Sequence, residues 1–175
     1  MQTRKLVNLG LLISLSVVLT RFFGTQLLIA GVGALRLSFG EVPIMLAGVL
    51  FGPLAGACVG ALADIIGFAI NPMGGAYIPL LTVTAALTGA LPGWLLSGRD
   101  PTTVNPWLVG GAVAVTGLVV AAGLNTYVLS LALGRPAMAL FPLRLLARVL
   151  LTPAHAGAVM LLCRTYRTVA VHSRA

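Results

Sequence analysis

Residues 61–79 read ALADIIGFAINPMGGAYIP, a single carboxylate, Asp64, set in hydrocarbon side chains and followed by a break rich in proline and glycine. Extended toward the N-terminus, the segment carries Gly56, Gly60, Asp64, Gly67 and Asn71 at successive spacings of four, four, three and four residues. On an α-helix those positions share one face. Glycines at such spacing let a neighbouring backbone approach closely. The face therefore packs into protein, and Asp64 points inward rather than to lipid. A carboxylate so placed requires a donor.

The rest of the chain supplies the setting. Of 175 residues, 59% are hydrophobic and 8% charged, against about 25% charged in a soluble domain. Mean hydropathy is +1.06. The bilayer must serve as solvent for most side chains, so an all-α integral membrane protein forming one membrane domain, 1–175, is expected. The net charge of +8 sits mostly at chain ends, short loops and span edges, which indicates membrane orientation and no nucleic-acid partner. Cys58 and Cys163 lie in apolar runs without a metal or disulfide spacing and are read as core residues.

A crossing helix needs about 20 mostly apolar residues. Dividing the uncharged runs at their proline and glycine signals predicts six spans, roughly 6–23, 39–52, 53–71, 79–97, 107–133 and 142–163. The start resembles a signal peptide as well as a first span; the further spans favour an uncleaved first helix. The second span is short, tilted or partly re-entrant, because Glu41, Pro43 and the FGP at 51–53 interrupt it. With both termini cytoplasmic, Arg4, Lys5, Arg99, Arg164, Arg167 and Arg174 lie inside, and Arg21, Arg36 and Arg135 lie outside. Segments 24–38, 72–78 and 134–141 then face outward.

Several function classes are excluded or disfavoured. Lys5 is the only lysine, so this chain contains no phosphate-binding loop and cannot drive itself with ATP. Its three acidic residues leave no paired carboxylates for acid/base work and no hard-metal cluster. His155 and His172 do not make a zinc motif, so neither a metal nor a cofactor is expected. A proton-coupled carrier on Glu41 or Asp64 would usually show repeated halves, which are absent. An intramembrane enzyme would need a pair such as Ser130 or Thr84 with His155, which any chain of this kind offers.

The polar residues instead suggest binding. Arg144 and Arg148 are four apart, with His155 seven further along the same face and Pro153 bending the helix between them. Arg21 ends the first span on the same outer side, and Asn125 with Thr126 interrupts the fifth. A cationic outward cavity follows, suited to carboxylates. Asp64, Asn71 or Asn125 would meet an amide or heterocycle edge, and Phe22, Phe39 and Tyr77 would supply aromatic surface. The plain alternatives are snorkelling at Arg21, Arg36 and Arg135, an aromatic belt at Tyr77, an interhelical bond at Asn125, and a structural Asp64–Arg148 pair.

Residues 35–93, including FGPLAG, ALADIIGF, NPMGGAYIP and TVTAALTG in that order, resemble the substrate-binding S component of energy-coupling factor (ECF) transporters, most closely the folate branch. LNTYVLSLALGRP and LFPLRLLARVLLTP resemble its last two helices. The chain departs from the family at Ile78-Pro79-Leu80-Leu81, where Pro-Gly-Phe is common, and at Val18, which breaks the small-residue series on the first helix. The resemblance implies a six-helix S component in a prokaryotic plasma membrane that captures a vitamin from outside. It would then join a transmembrane coupling protein and two ABC ATPases and topple in the membrane to deliver its cargo. Folate is the expected ligand, with pantothenate or riboflavin as the alternative. Arg21, Arg144 and Arg148 would hold carboxylates, Asp64 or Asn125 the pterin edge, Tyr77 and Phe22 would stack or close over it, and Gly10 with Ser14 would dock on the coupling subunit.

Overall fold

The computed structural model describes residues 2–29, 32–72, 77–99, 104–133 and 137–172. Helix α1 (Gln2–Arg21) leads into an antiparallel hairpin, β1 (Thr25–Ile29) and β2 (Val32–Leu37), followed by α2 (Glu41–Phe51), α3 (Pro53–Ile70) and α4 (Pro79–Leu95). One continuous helical stretch then runs through α5 (Pro106–Thr116), a π-helical segment (Gly117–Leu124) and α6 (Asn125–Leu133), and α7 (Ala137–His172) closes the bundle. The hairpin occupies what the sequence presented only as an outer segment. Its ladder shifts register between Leu27 and Leu28, and Arg36 lies opposite Gln26. Residues 73–76, Asp100, Arg135 and Arg174 lie outside the described residues.

Helix α2 explains the short second hydrophobic run. Val42 through Gly48 and Val49 are all buried, because this helix is apolar on every side and sits in the middle of the bundle. Eleven residues reach only about 16 Å, roughly half the hydrocarbon thickness. The 17 residues of α4 are also short of a full straight crossing. The stretches Thr3–Arg21, Pro53–Ile70, Pro106–Ala132 and Arg144–Tyr166 are long and apolar enough to cross a membrane. Two apolar clusters flank α2: Met45, Val49, Val109, Val113 and Val159 on one side, and Val17, Ile44, Ala47, Val59 and Ala63 on the other.

The glycine stripe on α3 lies against α4. A Cβ at Gly56 would collide with the Gly89 carbonyl, one at Gly60 with the Ala85 carbonyl, and one at Gly89 with the backbone of Gly56. The two helices thus touch backbone to backbone, which only hydrogen-sized side chains permit. Farther along the stripe, Gly67 faces the Arg21 side chain, so the same face that packs α4 also admits a guanidinium beside Asp64. Cys58, expected in the core, is exposed on another side of α3, whereas Cys163 is buried. An apolar residue facing lipid gives the same sequence signal as one facing protein, which is why hydropathy could not separate them.

Candidate functional site

At the end of the bundle where α1 finishes and α2 begins, α1, α2, α3, α4, the π-helical segment, α6 and α7 line a cavity of about 190 Å³. Its wall includes Arg21, Glu41, Asp64, Asn125, Arg144 and Arg148, with the hydroxyls of Ser16, Thr20, Ser38, Thr84 and Thr88 between them. Five of the seven residues predicted to bind a ligand therefore meet in one place: Arg21, Asp64, Asn125, Arg144 and Arg148. Asn71 and Tyr77 stand outside the lining.

Both outlying residues nonetheless reach the site through bonds. Arg21 Nη1 donates to the Asn71 carbonyl at 2.7 Å, and Arg21 Nη2 lies 3.9 Å from Asp64 Oδ1. Thr82 donates its hydroxyl to Asp64 Oδ2 at 2.7 Å. Because that proton is committed, the 2.7 Å contact between Tyr77 and Thr82 has the tyrosine as donor. A relay Tyr77–Thr82–Asp64 thus fixes the carboxylate, and Phe68 backs the tyrosine ring at 5.1 Å between centroids. Thr82 was missed in the sequence because a threonine in an apolar helix carries no signal of its own; its place opposite Asp64 comes from the α3–α4 crossing.

The structure corrects the pairing considered for Asp64. Arg148 does not bind it. Instead Arg148 Nη1 donates to Glu41 Oε2 at 2.6 Å and Nη2 to Glu41 Oε1, a fork-to-fork arrangement. The two side chains are 13% and 25% exposed, enough for both to border the cavity. On the sequence alone Glu41 reads as an interruption of a short span or a proton-carrier candidate. Its signal was present: with three acidic residues in the chain, a carboxylate at the head of an apolar helix also requires a cation.

Around this pair the start of α2 is firmly seated. Ser16 donates to the Gly40 carbonyl at 2.7 Å, the Gly40 amide donates to Ser38 Oγ at 3.0 Å, and His155 Nε2 donates to the Ser38 carbonyl at 3.2 Å. His155 is buried and meets Phe39 edge-on, with ring centroids 5.3 Å apart. It shares a helix with the arginines but does not line the cavity. Phe22 is 71% exposed and also outside it. The hydroxyls imagined as nucleophiles are engaged locally: Thr84 donates to Leu81 and Ser130 to Tyr127.

Asn125 reaches the cavity at the junction where the π-helical segment returns to α-helix. Such a segment widens the turn and rotates the side chains beyond it. Val120 and Ala121 from the same segment also line the wall. Gly10 and Ser14, by contrast, lie on the exposed side of α1. A Cβ at Gly10 would meet nothing within 4 Å, and Ser14 donates back to the Gly10 carbonyl at 3.0 Å.

Comparison with known proteins gives matches that agree on the kind of transporter component and differ in the vitamin named. A family described as "ECF-type riboflavin transporter, S component" matches residues 1–168. The chain is 30% identical over 151 residues to the folate transporter FolT of Clostridium novyi, covering 86% of this chain and 83% of that one. It is 32% identical over 127 residues to FolT of Leuconostoc mesenteroides, covering 72% and 63% respectively. The crystal structure of a FolT bound with folic acid superposes with a TM-score of 0.79 at 28% identity, over 94% of this chain and 97% of that one. The S component of a bacterial ECF transporter superposes at 0.65 and 20% identity over the full length of both, a likeness of fold.

Proposed function

Because the chain belongs to the S components of ECF transporters, we propose that it binds folate from the outer face of a prokaryotic cell membrane and hands it to a transmembrane coupling protein served by two ATPases. One observation carries the choice of ligand. The cavity wall holds three guanidiniums, Arg21, Arg144 and Arg148, against two carboxylates, Glu41 and Asp64. An anionic ligand offsets that excess of positive charge, whereas an uncharged one leaves it in place.

In this reading Arg144 takes a glutamate carboxylate of folate. Asp64 and Asn125 meet the donors and acceptors of the pterin edge. Arg21 and the Tyr77–Thr82 relay hold Asp64 in position, with Asn71 anchoring Arg21 from behind, and Arg148 lines the carboxylate side. The exposed Gly10 and Ser14 face of α1 is proposed as the contact for the coupling subunit. Placing both termini in the cytoplasm puts the cavity, the hairpin and the segments after α3 and α6 on the outer side.

The family description favours a second reading, riboflavin, and the two separate cleanly. Purified protein is incubated with radiolabelled folate, washed and counted, and its visible spectrum is recorded. Retention of folate above a detergent blank with no flavin absorbance supports the folate reading. A yellow protein that retains no folate overturns it and leaves the family intact.

A further inference from the structure

We propose that Glu41 is a specificity-determining residue that sets how many carboxylates a ligand can place in this cavity. The inference deepens the folate reading and rests on it. Glu41 occupies both ends of the Arg148 fork, so the guanidinium that would otherwise be the second anion seat beside Arg144 is already filled by the protein's own carboxylate. Arg144 lies one helical turn from Arg148 on α7, and both border the cavity.

The geometry separates this role from that of the other acid. Asp64 accepts a hydroxyl from Thr82 and stands 3.9 Å from Arg21, so its second oxygen is only loosely engaged and can turn to a ligand. Glu41 has each oxygen in a charge-assisted bond to one guanidinium. It enters from the first turn of α2, a helix whose start is pinned by the Ser16, Ser38 and His155 bonds. A ligand carboxylate cannot displace such a group without uncovering a fixed negative charge beside itself. Glu41 therefore behaves as an internal competitor: it holds the cationic wall together and at the same time rejects a further anion.

The test uses three pteridines that differ in carboxylate number: pteroate with one, folic acid with two and pteroyl-diglutamate with three. Their Kd values are measured on the full-length protein, on Glu41→Gln, and on the double variant Glu41→Gln with Arg148→Met. In Glu41→Gln the fork is released, and the ratio of pteroate Kd to pteroyl-diglutamate Kd rises roughly tenfold, the scale of one charge-assisted pair. In the double variant the ratio returns toward that of the unaltered protein, because the released cation is gone.

If Glu41→Gln weakens all three ligands alike and leaves the ratio unmoved, Glu41 is only a structural partner and the inference falls. A rise that persists in the double variant also overturns it, since Arg148 would not be the seat. If the unaltered protein retains none of the three pteridines, the folate reading fails and takes this inference with it. That outcome is distinct from binding with an unmoved ratio, which sinks the Glu41 assignment alone.

Discussion

Substituting Gly89 by alanine tests whether the backbone contact between α3 and α4 holds the site. The new Cβ would fall within hard-contact range of the oxygen, carbon and Cα of Gly56, all backbone atoms that cannot swing aside. Overpacking of this kind costs about 1–3 kcal/mol, and the upper end applies when nothing on the far side is flexible. Alanine also gains up to about 1 kcal/mol over glycine in a helix interior. Gly10→Ala supplies the control, because its Cβ would meet nothing within 4 Å and it carries the same propensity gain. The difference between the variants therefore isolates the contact at about 3 kcal/mol, a shift of roughly 6–12 °C in midpoint at this chain length. The assay is thermal unfolding of both proteins in one detergent, followed by size-exclusion chromatography. Since α4 also carries Thr82 opposite Asp64, folate binding by Gly89→Ala should weaken at temperatures where the protein remains folded. Equal midpoints for the two variants would refute the reasoning, because they would mean that the helices can part without cost.

Three other perturbations address the site and its surroundings. Arg144→Ala should weaken folate binding by about 2 kcal/mol or more, roughly thirtyfold, as expected when one partner of a desolvated charge pair is removed; Arg99→Ala, beyond the end of α4 and outside the cavity wall, should leave the Kd unchanged in the same titration. Thr82→Val cuts the link from Tyr77 to Asp64 and should cost about 1 kcal/mol in folate affinity, measured by calorimetry, with Tyr77→Phe adding little on top because both act through one bond chain. In detergent at alkaline pH a membrane-permeant maleimide should modify Cys58 ahead of Cys163, read by mass spectrometry of the intact chain; equal labelling would contradict the exposed and buried positions found for them.

The parts of the site that could be read in advance are those that lie on one helix. Periodicity on α3 placed Gly56, Gly60 and Asp64 on a packed face, because a helix turns by a fixed angle per residue, and the spacing of Arg144 and Arg148 placed that pair together for the same reason. Periodicity is silent about which helix lies opposite. It therefore could not choose between Arg21 and Arg148 as the neighbour of Asp64, nor find Glu41 across a separation of 107 residues from Arg148. Asn71 and Tyr77 show a related limit: both belong to the site's bond network, Asn71 through its backbone carbonyl and Tyr77 through Thr82, and helical period encodes neither contact.

By itself, the amino-acid sequence determined that this chain dissolves in a bilayer, that its third helix turns a glycine-lined face with one carboxylate into protein, and that Arg144 and Arg148 share a face of the last helix. Composition and helical period suffice for those statements, since each concerns local solvation or the geometry of one element. Only the tertiary structure decided that the second hydrophobic run is a buried central helix, that Asp64 is steadied by Thr82 with Arg21 nearby, and that Glu41 claims Arg148. The physical reason is that ion pairs in a bundle form between whichever charges the helix crossings bring within about 4 Å. Those crossings are set by where glycine lets backbones meet, as at Gly56 and Gly89.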